Sequence, residues 1–227
     1  MTRSLPVTVA DLPHELWRVF EQRDHADRFV ALGEVRMGNI LGYRESGDHR
    51  QDTSEAEARA MVPGDVPTLH PDRDTGTVLS ETTTPGHFHY NGASMNPAYL
   101  LCCSHVTADT AVLRQKFGRW GVRVHSPREL LQRLRRGALA AVPQHDTALY
   151  FDAFPVMYTK DLVLARDEVR RLGSRLHYGQ KPPEPHYKEQ EYRIALVTSG
   201  FNRTAPPFLA LSIGSLASIC TIVDLGE

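Results

Sequence analysis

Hydrophobic positions along this chain fall into short, separated runs, most of them with strand character. Leu16-Trp17-Arg18-Val19-Phe20 predicts a strand with an arginine at its centre, and Glu34 to Ile40 a second one. Between them Asp24 is a candidate cap for a helix through Phe29, Val30 and Leu32, which Gly33 ends. Ala98-Tyr99-Leu100-Leu101-Cys102-Cys103-Ser104 reads as a strand buried on both faces that ends on a hydroxyl. Phe117 to Val124 is a further strand candidate. Ser126-Pro127-Arg128-Glu129 is the sharpest helix start: a Ser N-cap, Pro at the first helical position and Glu in the capping-box place. Leu130, Leu131 and Leu134 supply the apolar face and Gly137 the stop. Val156-Met157-Tyr158 predicts a short strand and Asp167 to Leu172 a helix. Leu209, Leu211 and Ile213 alternate at strand spacing.

One long segment breaks the pattern. Gly42 to Gly86 is polar, carries Pro63, Pro67, Pro71 and Pro85, and has little periodicity, so it reads as a surface excursion, at about 42–86, with partial disorder. There is no internal repeat. A chain of 227 residues can bury one full core, which favours a single domain over 1–227.

Charge narrows the choice of partners only locally. With 26 Lys and Arg against 27 Asp and Glu, no global charge points to nucleic acid or to a membrane. From Arg114 to Arg136, however, the sequence sets Arg114, Lys116, Arg119, Arg123, Arg128, Arg133, Arg135 and Arg136 against Glu129 alone. That stretch suits phosphate, or equally a solvated helix face and strand edge. Three cysteines without regular spacing indicate reduced thiols in a cytoplasm rather than a disulfide framework. No apolar leader follows Met1, and Phe208 to Val223 is too short and too hydroxyl-rich for a membrane span, so a buried strand and short helix are expected there.

Candidate chemistry is sparse. Neither glycine-rich phosphate loop motif occurs. His87 and His89 could share a strand face, but no Cys or carboxylate stands at a customary metal-ligand spacing, so no metal is assigned. Cys102 or Cys103 with His105 could suggest a thiol nucleophile, yet an apolar run raises a thiol pKa. Glu189 and Glu191, two residues apart in Tyr187-Lys188-Glu189-Gln190-Glu191-Tyr192-Arg193-Ile194-Ala195-Leu196-Val197, leave one face of a strand together. Two carboxylates so placed repel each other and call for a cation, a ligand or water.

Arg18 in the first strand, Ser104 at the end of a middle strand and Glu189-Gln190-Glu191 opening a late one follow the order of the ADP-ribosyltransferase superfamily, Arg-Ser-Glu class, which this chain resembles. The resemblance covers about 25 residues. It departs in the middle motif, where Cys102-Cys103-Ser104 keeps only the last hydroxyl of a Ser-Thr-Ser pattern. The chain is also similar to a broad group of uncharacterised bacterial proteins in which a Tyr-Arg segment leads to Arg-x-Asp-x-x-Glu, here Tyr43-Arg44 with Arg50, Asp52 and Glu55, and a Lys-containing loop precedes Glu-x-Glu-[Trp/Tyr]-Arg.

The first resemblance implies an α+β fold with a split, mostly antiparallel sheet core and peripheral helices. It implies transfer of ADP-ribose from NAD, the substrate, to a macromolecular acceptor, protein or nucleic acid, in a bacterial toxin or phage-defence effector with a possible neutralising partner. Glu191 would stabilise the oxocarbenium-like sugar and Glu189 would orient the acceptor. Arg18 would hold ribose or pyrophosphate, Ser104 would orient Glu191, and Tyr43, Tyr99 or Phe117 would stack on nicotinamide. The loop from Gly179 to His186 stands where the superfamily recognises its target. Arg18, Ser104 and Glu191 should then converge on one cleft. With Arg18 and Glu191 on opposite faces of the sheet the transferase reading would be lost, and packing roles for both, as in a non-catalytic binding or scaffold protein, would be the default. A third reading, a Mg²⁺-dependent nuclease, needs a third acid such as Asp48 or Asp52.

Overall fold

The computed structural model describes residues 12–40, 57–71, 78–93, 97–142, 148–159, 162–163, 168, 172, 178–199 and 206–226. Its centre is an eight-stranded sheet in which every pairing is antiparallel. The strands are β1 (Leu16–Phe20), β2 (Glu34–Asn39), β5 (Ala98–His105), β6 (Trp120–Val124), β7 (Ala148–Pro155), β11 (Glu191–Thr198), β12 (Phe208–Ser212) and β13 (Cys220–Asp224). Strand β5 is the hub. Along one side it pairs with β11 from Ala98↔Val197 to Ser104↔Glu191. Along the other it pairs first with β2, at Tyr99 and Leu100, and then with β1, at Ser104 and His105, so the sheet divides at β5.

Helix α1 (Arg23–Leu32) and helix α3 (Pro127–Ala141) bury Phe29, Leu130, Leu131 and Leu134 against one face, which presents Leu16, Tyr99, Leu101, Val122, Ile194 and Leu196. Helix α2 (Thr110–Phe117) covers part of the other face, where Leu113 and Ala108 pack on Trp17. A short helical turn, α4 (Pro183–His186), continues into a 3₁₀ turn at Tyr187–Glu189. Two small sheets stand apart from the main one: β3 (Glu57–Pro71) with β4 (Val78–Ala93) and, parallel, β9 (Leu162–Val163); and β8 (Met157–Tyr158) with β10 (Gln180–Lys181). Among the described residues no helix is long and apolar enough to cross a membrane.

An α+β architecture with a mostly antiparallel sheet is thus as expected, and most element expectations hold. Gly33 ends α1 with φ 65°, the left-handed conformation in which its N–H reaches Phe29 O at 3.1 Å. Some details differ. Gln22 rather than Asp24 is the N-cap of α1, leaving Asp24 in the first turn, where a negative charge suits the helix dipole. Ser126 makes no side-chain cap, and Glu129 turns instead to Arg133. Helix α3 passes through Gly137, where a Cβ would meet Ile213 Cγ2 at 2.8 Å; the glycine permits close packing and does not stop the helix.

Phe117 closes α2 and is not part of β6. The polar excursion is in large part the β3–β4 hairpin. Pro63, Pro67 and the partner of Asp65, Pro85, fall in one alternate set of the ladder, which confines the missing N–H groups to one class of pair. Residues 41–56, Tyr43 among them, lie outside the described residues, as does most of the predicted 167–172 helix.

Candidate functional site

Glu191 is the first residue of β11, and its neighbours follow from strand geometry. Antiparallel pairing sets Ser104 directly opposite Glu191 and Cys102 opposite Arg193, so these four side chains share one face. On that face Arg193 donates from Nε to Glu191 Oε1 at 2.8 Å. Lys181 Nζ, brought in by β10, lies 2.9 Å from Glu191 Oε2. The second guanidinium edge is tied down as well: Arg193 Nη1 donates to Tyr178 O at 2.6 Å. The backbone N–H of Glu191 donates to the Tyr158 hydroxyl at 2.7 Å. Arg193 is 1% exposed and Glu191 6%, so both charges are taken out of water.

Burial by itself would raise the Glu191 pKa. The Arg193 and Lys181 charges and their hydrogen bonds outweigh it and hold the carboxylate well below its usual range, ionised at neutral pH. Burial also pushes the Cys102 thiol up, with the Glu191 charge adding to the effect, which removes Cys102 as a nucleophile. Cys103 is pushed up to about 11 in the same way.

Glu189 is separated from Glu191 by a break in the strand. It ends the 3₁₀ turn, and Gln190 then adopts φ 42°, ψ 52°, the left-handed region that a residue with a Cβ enters at a cost. The two glutamates therefore do not share a strand face through two-residue alternation, which corrects the sequence expectation. They remain electrostatic neighbours, because each feels the charge of Lys181. Glu189 is 4% exposed and is held from two sides: Lys116 Nζ of α2 lies 2.6 Å from Oε1 and His186 Nδ1 3.0 Å from it. Lys116 also donates to Pro185 O at 3.1 Å, fastening the 183–189 turn to α2. Burial raises Glu189, but His186, Lys181 and Lys116 together lower it below the ordinary value.

The other predicted site residues are only partly brought here. Ser104 faces Glu191, yet the two make no hydrogen bond; Arg193 and Lys181, not Ser104, orient the carboxylate. Arg18 is elsewhere. Trp17 pairs with Ser104, so alternation sends Arg18 to the opposite face, beside Phe20, with its Cζ 5.5 Å from that ring. There Nη1 donates to Cys102 O at 2.5 Å across the opening between β1 and β2. The expected convergence of Arg18 with Glu191 is not formed. Tyr99 is fully buried in the main core on that opposite face and cannot stack on a ligand beside Glu191. Phe117 packs at the edge of the Trp17 cluster.

Sequence reasoning missed Lys181, Arg193, Tyr158 and Lys116. The signal for Arg193 was present, since it follows Glu191 at strand period; the others depend on contacts between distant segments. Among the described residues no group of three or more His, Cys, Asp or Glu could hold a metal ion, and Asp48 and Asp52 lie outside them. No family model matches the chain, and neither a curated protein nor a solved structure matches it.

Proposed function

We propose that the protein transfers ADP-ribose from NAD to a macromolecular acceptor, with the chemistry at the start of β11. The observation that carries the reading is Glu191: a buried carboxylate held ionised, directly across from Ser104, on strands adjacent in the order β1, β5, β11. Loss of nicotinamide leaves an oxocarbenium-like ribose, and a fixed negative charge beside it is worth more in the transition state than in the ground state. Lys181 and Arg193 stand beside that carboxylate and hold it ionised.

A second reading, a non-catalytic binding protein, is favoured by two specific observations. Both Glu191 oxygens already have cationic partners, and Arg18 lies on the far face of the sheet. Arg18 on the far face is the outcome set against transfer in the sequence analysis, and the proposal of transfer therefore rests on Glu191 and Ser104 without Arg18. Titration with NAD, read by thermal shift and by nicotinamide release, separates the readings, with circular dichroism confirming that each variant is folded. Transfer requires that NAD raise the melting temperature and that folded Glu191→Gln release nicotinamide at least about a hundredfold more slowly. Absence of both stabilisation and release in the unmodified protein assigns the cluster to the binding-protein reading.

A further inference from the structure

The basic run from Arg114 to Arg136 separates into two groups once its partners are traced. Several of its cations are committed within the protein: Lys116 to Glu189, Arg119 to Asp224, Arg123 to Glu15 and Arg133 to Glu129. Arg135 buries its Nε. Arg114, Arg128 and Arg136 are exposed and make no ion pair among the described residues. Arg128 and Arg136 both belong to α3, and they share a groove.

Residues four apart on a helix stand one above another, about 6 Å along the axis. Arg128, Gln132 and Arg136 therefore form a row over two turns of α3, on the side away from the buried Leu130, Leu131 and Leu134. The row borders a groove of about 520 Å³ that Ser126 and Ile213 also line. Its walls are tied together. Arg133 Nη1 donates to Ser215 O, and Ile213 packs so closely on Gly137 that a Cβ there would meet its Cγ2 at 2.8 Å. Glu129, in the same groove, is neutralised by Arg133. Two uncompensated positive charges therefore face the groove, in a chain whose net charge is −1.

We infer that this groove binds the backbone of a single strand of nucleic acid. Each of the two guanidiniums presents a fork of donors that suits a phosphate. The repeat of about 6 Å along the row is the scale on which phosphates recur along an extended strand. Ser126 and Gln132 are of the types that complete contacts to phosphate and sugar, contacts that position a backbone and carry no sequence information. Carboxylates of an acidic peptide present acceptors alone and would leave the acceptor oxygens of Gln132 and Ser126 unmet, whereas sugar hydroxyls both donate and accept. Pockets of about 300–1,000 Å³ hold drug-sized ligands, so this groove admits a short stretch of one strand and not a duplex. Helix α3 packs on the sheet face opposite Glu191, so the inference stands independently of the ADP-ribosyl reading.

The test titrates the full chain and its variants into a fluorescein-labelled single strand of mixed sequence and reads anisotropy at several salt concentrations. Arg128→Gln and Arg136→Gln change exposed side chains that hold no ion pair, so both should fold as the unmodified protein does. Each should flatten the slope of log K against log salt by about 0.7 and weaken binding about fivefold at about 0.1 M salt, the scale of one phosphate contact to a single strand. Arg114→Gln removes an equal charge on α2, outside the groove, and should leave both values unchanged. Absence of binding by the unmodified protein, an equal effect of Arg114→Gln, or displacement of the strand by poly-glutamate at equal charge overturns the inference.

Discussion

Arg193 and Glu191 stand two residues apart on one face of β11 and join through Nε and Oε1 at 2.8 Å, inside a shell that leaves the arginine 1% exposed. A charge pair so deeply buried has been desolvated at a cost, and each member depends on the other to offset it. Removing one partner is therefore worse than removing both. Glu191→Ala should lower stability by about 3–5 kcal/mol, the range for a broken buried pair. Adding Arg193→Met should recover part of that loss. Urea unfolding of the two single variants and the double variant would show it; additive losses would mean that the pair is not coupled.

Lys116 and Glu189 hold the 183–189 turn against α2. Lys116→Met keeps much of the aliphatic stem but leaves Glu189 to His186 and the more distant Lys181. We expect a stability loss of about 1–3 kcal/mol, the cost of an orphaned buried acceptor. Amide exchange in 183–190 should rise with little change in β5, and protection that stays at the original level would remove Lys116 as the fastening.

The acid limb of stability follows from the two depressed carboxylates. Burial opposes ionisation of both, and the cations around them more than compensate, so each folded-state pKa lies below its unfolded value. Such a group stabilises fully above the unfolded pKa, about 4.3 for Glu, and loses its contribution as pH falls through the folded value. Stability should therefore decline below about pH 4.3, and Glu189→Gln should decline less steeply because one of the linked protons is gone. Identical slopes for the variant and the unmodified protein, in urea midpoints taken from pH 6 to 3, would contradict the linkage.

Burial pushes Cys103 to about 11 and Cys220 to about 12, and raises Cys102 well above the ordinary thiol value. At pH 8 all three should be thiols, with the buried Cys103 and Cys220 shielded from an aromatic disulfide reagent in the folded protein and the half-buried Cys102 slowed, and all should react after denaturation. A fast-reacting native thiol would show that β5 opens on the time scale of the assay.

Gly33 adopts φ 65°, and a Cβ there would lie 2.0 Å from Gly214 O. Gly33→Ala meets both a left-handed backbone and a clash with main chain that has no rotamer to yield. The expected loss is at least about 2 kcal/mol, the backbone term alone being about 1–2. A thermal midpoint unchanged from the unmodified protein would mean that α1 and the 213–216 segment separate readily.

What the sequence alone determined was the local layer of this protein. β1, β2, β5 and the apolar face of α3 could be read because burial and period agree there, as at Leu130, Leu131 and Leu134. Helix α2 was not read from the sequence, although Asp109 caps it by accepting from the N–H groups of Ala111 and Val112. The site was legible only as residues whose partners lay elsewhere. Strand alternation has a period of two, so a single residue decides which face a side chain takes. The register Trp17↔Ser104, which no local pattern encodes, sent Arg18 away from Glu191 and put Trp17 in its place. One left-handed residue, Gln190, likewise separated two glutamates that the sequence set on one strand. Lys181 and Lys116 reach those glutamates from β10 and α2. Such pairings form only when the sheet brings distant segments together, and tertiary structure alone decided them.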